Sequence, residues 1–286
     1  MATPLPYFHR QKIRHSTHDL VVRQQADELA GAVERIAVLS RRRFLTRSIG
    51  ALAALAACST PRNLPAAVTA SAATTLGGGA VKTGQFVFPR LRFDVTDNTP
   101  DRWNVGLIGD VNLRRQLAAL TNINVSQEFR IVTLADFDDM VRNPFVFMTS
   151  EGYFKLTEVE QKNMREFLER GGFIHADDCV YDSREDRFFR TYNEWMGKMF
   201  PDNPMRKIPY DHELFHIYFD FPEGSPHMQG VNHGAYGLFE PGTGLIMTVN
   251  TPGDLHCGWK NCYFTPEKNL AAIKMGINII IYFLSH

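Results

Sequence analysis

Between Phe86 and His286 short apolar runs alternate with longer amphipathic segments, a pattern that leaves few folds open to the chain. Phe145-Val146-Phe147-Met148 and Phe173-Ile174 are apolar at successive positions, as in strands buried on both faces. Between them, Glu158 to Arg170 has helical spacing. Thr157 and Glu160 open it with a T-x-x-E capping box, and Gly171-Gly172 stop it where the chain must turn into the next strand. The same reading gives strands at Phe86 to Phe93, Ile131 to Leu134 and Leu245 to Asn250. Helices fit Val111 to Leu120, Arg184 to Met199 and Pro266 to Leu284, the last with Thr265 as N-cap and proline at its first position. The expectation is an α/β domain with a mostly parallel central sheet and helices on its faces. The 21 Phe and 9 Tyr can fill its core, and Phe188, Phe189, Tyr192, Trp195 and Met199 form a core-facing helical stripe.

Ligands of such sheets bind beyond the carboxyl ends of the strands, which puts Ser150 to Tyr153 and Asp177 to Tyr181 on the candidate active edge. Here Asp177, Asp178 and Cys179 follow a strand directly. Adjacent carboxylates repel unless paired or hydrogen-bonded. One reading makes Asp177 or Asp178 a ligand contact or acid/base, or Cys179 a nucleophile; the other has a carboxylate capping the next helix or binding loop amides. Cys179 lacks the small neighbours of a tight nucleophile elbow.

His212-Glu213-Leu214-Phe215-His216 matches H-E-x-x-H, in which histidines four apart on a helix hold zinc. Pro209 upstream and the extended-looking Ile217 to Pro222 leave little room for that helix, so no metal is expected and His212 and His216 read as local hydrogen-bonding groups. The segment from Thr251 to Trp259 mixes turn residues with polar groups and an exposed-looking indole. It reads as a ligand-binding loop through Asp254 and Trp259, or as a turn with Trp259 packed on the domain. Besides Cys58 there are three cysteines, so Cys179, Cys257 and Cys262 cannot all pair. Cys257 and Cys262 either bridge a short loop or remain ordinary thiols.

The N-terminal part carries an address. Ser40-Arg41-Arg42-Arg43-Phe44-Leu45 fits a twin-arginine export signal, with Arg41 and Arg42 as the pair; the apolar run from Ile49 to Ala57 is too short to span a bilayer. Leu55-Ala56-Ala57-Cys58 resembles a lipobox, which would make Cys58 the lipidated residue after cleavage; cleavage without lipidation is the rival. The expected organisation is a signal over 1–58, a flexible Ala/Thr/Pro/Gly tether over 59–85 and a globular domain over 86–286. Formal charge is zero overall, but 9 of 31 basic and 4 of 31 acidic residues lie in the first 58, so the remainder is mildly acidic. Nucleic acid is therefore not an expected partner. The expected partners are the twin-arginine translocase during export and the membrane through a lipid anchor, with the domain on the periplasmic face of the envelope. The sequence identifies no cofactor and has no nucleotide-phosphate loop.

Residues from about Phe86 to His286 resemble the bacterial domain-of-unknown-function family 4159. The likeness rests on Arg102-Trp103-Asn104, Pro144 to Met148, Leu156-Thr157, Gly171-Gly172-Phe173 to Asp177-Asp178, Asp211-His212, Leu214-Phe215-His216 and Met275 to Tyr282, in that order. It implies a flavodoxin-like three-layer sandwich related to class I glutamine amidotransferases and trehalose-utilisation-like proteins, without an assigned reaction. The chain departs from amidotransferases by placing aspartates near their cysteine turn and lacking a clear His-x-Glu partner. The expected function is binding of a small polar ligand or an envelope protein at the sheet edge, with Asn104, Glu151, Asp254 and Trp259 as contacts. The rivals are an envelope hydrolase, using Asp177 to Cys179 or a metal held by histidines, and a purely structural assembly component.

Overall fold

The computed structural model describes residues 84–180 and 186–286. The export motif, the lipobox, nearly all of the tether, and Tyr181 lie outside the described residues. The first half contains β1 (Pro89–Arg92), β2 (Asp94–Val95), α1 (Leu107–Leu120), β3 (Arg130–Thr133), α2 (Phe137–Arg142), β4 (Phe145–Ser150), β5 (Phe154–Lys155) and α3 (Glu158–Glu169). Then come β6 (Phe173–Asp178), α4 (Arg187–Met199), β7 (Arg206–Lys207), β8 (Tyr236–Phe239), β9 (Ile246–Thr251), α5 (Leu255–Trp259) and α6 (Pro266–Ser285).

Seven strands form one sheet in the order β3-β1-β4-β6-β9-β8-β7, while β2 and β5 pair separately. The first five are parallel, and β8 and β7 extend the sheet antiparallel. In the centre, β4 and β6 run in register from Phe145 opposite Phe173 to Ser150 opposite Asp178. Side chains alternate across a strand, and the apolar clusters record it. Phe145, Phe147 and Phe173 pack with residues of α1 and α6, whereas Val146, Met148, Ile174 and Ala176 pack with residues of α2, α3 and α4. Both faces being covered explains why these strands have no polar alternation.

Local signals account for the main boundaries. The Thr157 capping box forms in both directions at the start of α3, and Thr265 accepts the Lys268 N–H at the start of α6, where Pro266 occupies the first turn. The central strands run past their expected ends, β6 to Asp178 and β9 to Thr251. α1 starts at Leu107 because Gly106 adopts a left-handed conformation at its N-cap, φ 56°. β2, β5, β7, β8, α2 and α5 have two to six residues each, too few for a period to show.

Arg90 is a fully buried cation within β1. Its guanidinium meets Asp110 of α1 through two parallel bonds, Nε to Oδ2 at 3.0 Å and Nη2 to Oδ1 at 2.5 Å, and Nη1 donates to the Trp103 and Val105 carbonyls. Burial alone would raise the Asp110 pKa, but Arg90 and His256 outweigh it and hold the carboxyl below its ordinary value. The pair ties the 101–106 connection to the sheet. Replacing Asp110 by Asn keeps the shape and leaves Arg90 uncompensated, so urea unfolding should show a loss of about 3–5 kcal/mol. An unchanged midpoint would mean that the pair does not anchor this connection.

Candidate functional site

The two aspartates that end β6 do not share an environment. Because β6 stays extended through Asp178, the pleat sends consecutive side chains to opposite faces. Asp177 faces α5. Its Oδ1 accepts the Thr251 hydroxyl at 2.5 Å and the Leu255 N–H at 3.1 Å, and its Oδ2 accepts the His256 N–H at 3.0 Å. His175, two residues earlier on the same face, bonds the Thr251 hydroxyl through Nε2 at 2.9 Å. Since the Thr251 proton goes to Asp177, His175 is the donor in that contact. Asp178 faces α4, where its Oδ2 accepts the Phe189 N–H at 2.9 Å. Its buried Oδ1 has no partner among the described residues.

The Asp177 bonds fix the turn from β9 into α5, and that turn completes the site. Asp254 sits at the N-cap of α5 in the left-handed region, φ 59° and ψ 50°, a conformation that aspartate tolerates better than most residues. Its Oδ1 accepts the Cys257 N–H at 3.2 Å, and Gln229 Nε2 donates at 2.5 Å to both Asp254 Oδ2 and the Val180 carbonyl. The turn brings Cys257 Sγ to 3.8 Å from Cys179 Sγ, 78 residues away at the end of β6. Lys260 Nζ donates to Cys257 Sγ at 3.3 Å, and Asp101 Oδ2 is 3.7 Å from Cys179 Sγ. Gly106 allows this approach: a Cβ there would lie 2.0 Å from Lys260 Cε and displace the lysine.

Charge is unevenly compensated. Burial raises Asp177 to about 7 against the pull of its three donors, and it pushes Asp178 and Asp254 well above the usual carboxylate range. For Asp254 the Cys257 sulfur adds to the shift. The Cys179 S–H, directed at Cys257, lowers Cys257 to about 6, with Lys260 adding to the effect, and the same bond keeps Cys179 protonated well beyond its ordinary range. Burial lowers the Lys260 pKa, but the two sulfurs more than offset it, and the amine stays charged. His175 falls to about 3 and His256 to about 4, chiefly through burial, so both are neutral at pH 7.

Other residues singled out in the sequence fall elsewhere. Glu151, just beyond β4, accepts the Thr99 hydroxyl and pairs with Arg187 at 2.7 Å; Arg187 also pairs with Asp97 at 2.9 Å. Asn104 is exposed on the connection between β2 and α1. Of the two readings of Trp259, an exposed ligand contact or an indole packed on the domain, the packed one holds. Trp259 has no exposed surface, donates to the Ala272 carbonyl at 2.9 Å and packs against Phe88 and Phe147, because α5 rotates it into the core. Cys257 neighbours Cys179, while Cys262 is exposed and free, so of the two readings for Cys257 and Cys262, a short bridge or ordinary thiols, the second holds. His212 and His216 flank a single 3-10 turn, Glu213–Phe215. His212 Nδ1 accepts the Leu214 N–H, and His216 uses both ring nitrogens on Asp220 and the Tyr210 carbonyl. Gln229, Lys260 and Asp101 were not anticipated, since no spacing rule connects them to the cysteines.

The Cys257 environment has a direct readout. In protein freed of metal by chelator, thiolate absorbance should rise with a midpoint near pH 6 from one sulfur. The step should vanish in Cys257→Ser and move upward in Lys260→Met. A wild-type profile showing only an ordinary thiol midpoint of about 8.5 would contradict this geometry.

Comparison with known proteins gives a family and assigns no reaction. No curated protein matches the chain. The family model described as "Domain of unknown function (DUF4159)" matches residues 88–284, which cover all of the strands and helices described above except the last residue of α6. The chain therefore belongs to the DUF4159 family.

Proposed function

We propose that this protein is an exported cell-envelope lipoprotein whose domain holds a small polar ligand or a protein partner at the carboxyl edge of its sheet. The observation that carries the reading is the gathering of three buried carboxylates at that edge: Asp177, Asp178 and Asp254 are all raised in pKa by burial, and Asp178 Oδ1 has no partner among the described residues. A structural carboxylate normally gains a matching cation, as Asp110 does from Arg90. Perturbed groups gathered at one edge are characteristic of binding sites.

The five parallel strands, counted along the chain, lie in the order 2-1-3-4-5, which supports a flavodoxin-like three-layer sandwich. In that topology the crevice for a ligand opens between the first and third strands, here β1 and β4. The segments leaving them carry Asp97, Asp101 and Glu151. Arg41-Arg42 and Cys58 support export by the twin-arginine route and lipid attachment. The rival, an envelope hydrolase, draws support from the favoured Cys257 thiolate beside Lys260. No histidine contacts either sulfur among the described residues, which leaves that thiol without the usual general base.

Protein purified from its own host envelope without chelator tests the binding reading by native mass spectrometry. We expect a retained small molecule or a stoichiometric partner, lost in Asp254→Asn while the fold is kept. A clean apo mass and no partner in gently extracted wild type would contradict it. Export is tested separately. Replacing Arg41 and Arg42 by Lys should leave the protein in the cytoplasm, and Cys58→Ala should release it from the membrane fraction; unchanged fractionation in both would overturn the assignment.

A further inference from the structure

We propose that Cys179, Cys257 and Asp254 form a binding site for a thiophilic divalent metal ion of the zinc type. Cys179 Sγ, Cys257 Sγ and an Asp254 carboxylate oxygen lie within 4.8 Å of one another, and all three residues are buried. A tetrahedral ion with metal–sulfur bonds of about 2.3 Å places its two sulfurs about 3.8 Å apart. The observed separation is 3.8 Å. Two thiols in simple contact have a similar spacing, so the distance permits an ion without selecting one.

Selection comes from the third ligand and from charge. Binding would displace the protons that Cys179 and Asp254 hold, after which the trio carries three negative charges against the ammonium of Lys260, which bonds the Cys257 sulfur. A divalent ion brings the group to neutrality. The ligands are also oriented from outside, as metal ligands commonly are. Gln229 holds Asp254 Oδ2, the Cys257 N–H holds Oδ1, and Lys260 bonds the Cys257 sulfur; each acceptor keeps a further lone pair. Two sulfurs and one oxygen favour a soft or borderline ion over magnesium or calcium. Three protein ligands leave a fourth position for water or for a ligand of the edge. Metal bonding would also keep two adjacent thiols from closing to a disulfide in an oxidising envelope.

The inference deepens the edge-binding reading and rests on it, yet the two fail separately. The full-length, reduced protein is titrated with cobalt(II) alone and followed by its ligand-field and thiolate-to-cobalt absorption. One equivalent should bind and be displaced by zinc. Cys179→Ser, Cys257→Ser and Asp254→Asn should each weaken binding roughly 100-fold or more, since losing an outer-shell partner already costs about 10- to 100-fold. Cys262→Ser should bind as wild type does. The wild-type spectrum itself reports sulfur ligation, so the test survives a variant that folds poorly. Absence of a thiolate-to-cobalt band from protein with all thiols reduced would overturn the site, as would binding unaffected by Cys179→Ser, or a Cys179–Cys257 disulfide in protein isolated from the envelope. Any of those results, with a small polar ligand still retained in native mass spectra, removes the metal and leaves the edge-binding reading standing.

Discussion

The carboxylate of Asp177 holds the carboxyl edge of the sheet together. It is buried at the end of a central strand and takes three hydrogen bonds from the neighbouring strand and the turn beyond it. A five-residue helix is too short to hold itself in water. α5 is ordered because its first two amides have a fixed acceptor across the sheet, and because Trp259 at its other end is anchored in the core. Asp254 directly precedes the first anchor, and Cys257 stands between the two. Their position against Cys179 thus follows from the register of β6 with β9, which sets Asp177 opposite Thr251.

Two buried electrostatic arrangements in the same domain differ in kind. Around Arg90 the cation and the carboxylate match in geometry, and the remaining guanidinium donors reach carbonyls, so the local charge is closed. At the carboxyl edge the Asp254, Cys179 and Cys257 cluster has the Lys260 ammonium group on the Cys257 sulfur, while Asp177 is held by amides and a hydroxyl. Desolvation of an unpaired carboxylate is costly. That cost can be met by protonation, as the raised pKa of Asp254 indicates, or by a bound cation. The two arrangements meet at α5, where His256 lies beside the Arg90–Asp110 pair while the adjacent Cys257 joins the acidic cluster. The scaffold is therefore compensated up to the edge and left open at it.

Much of the scaffold was legible in the chain because the central strands and long helices carry their own signals: unbroken apolar runs at Phe145 and Phe173, a capping box at Thr157, a proline start at Pro266. The paired aspartates were legible as an edge feature. Their separation onto opposite faces was not, because it depends on β6 continuing two residues beyond its apolar part. Cys179 and Cys257 are 78 residues apart and meet only through sheet register, whereas Cys257 and Cys262, close in sequence, leave a short bridge and ordinary thiols both open, and the thiols are free. The sequence leaves Trp259 open between exposed and packed in the same way, since Pro252 and Gly253 mark a turn but do not say which way the next residues rotate. The H-E-x-x-H spacing assumed 3.6 residues per turn, and a 3-10 turn does not align positions four apart in that way.

Crystals of the reduced full-length protein grown with zinc, with diffraction recorded on both sides of the zinc absorption edge, test the central claim most directly. One strong anomalous peak is expected within bonding distance of Cys179 Sγ, Cys257 Sγ and an Asp254 oxygen, with Asp177 still bonded to the Leu255 and His256 amides. No peak between the two sulfurs, or a peak at His212 and His216 instead, would contradict it.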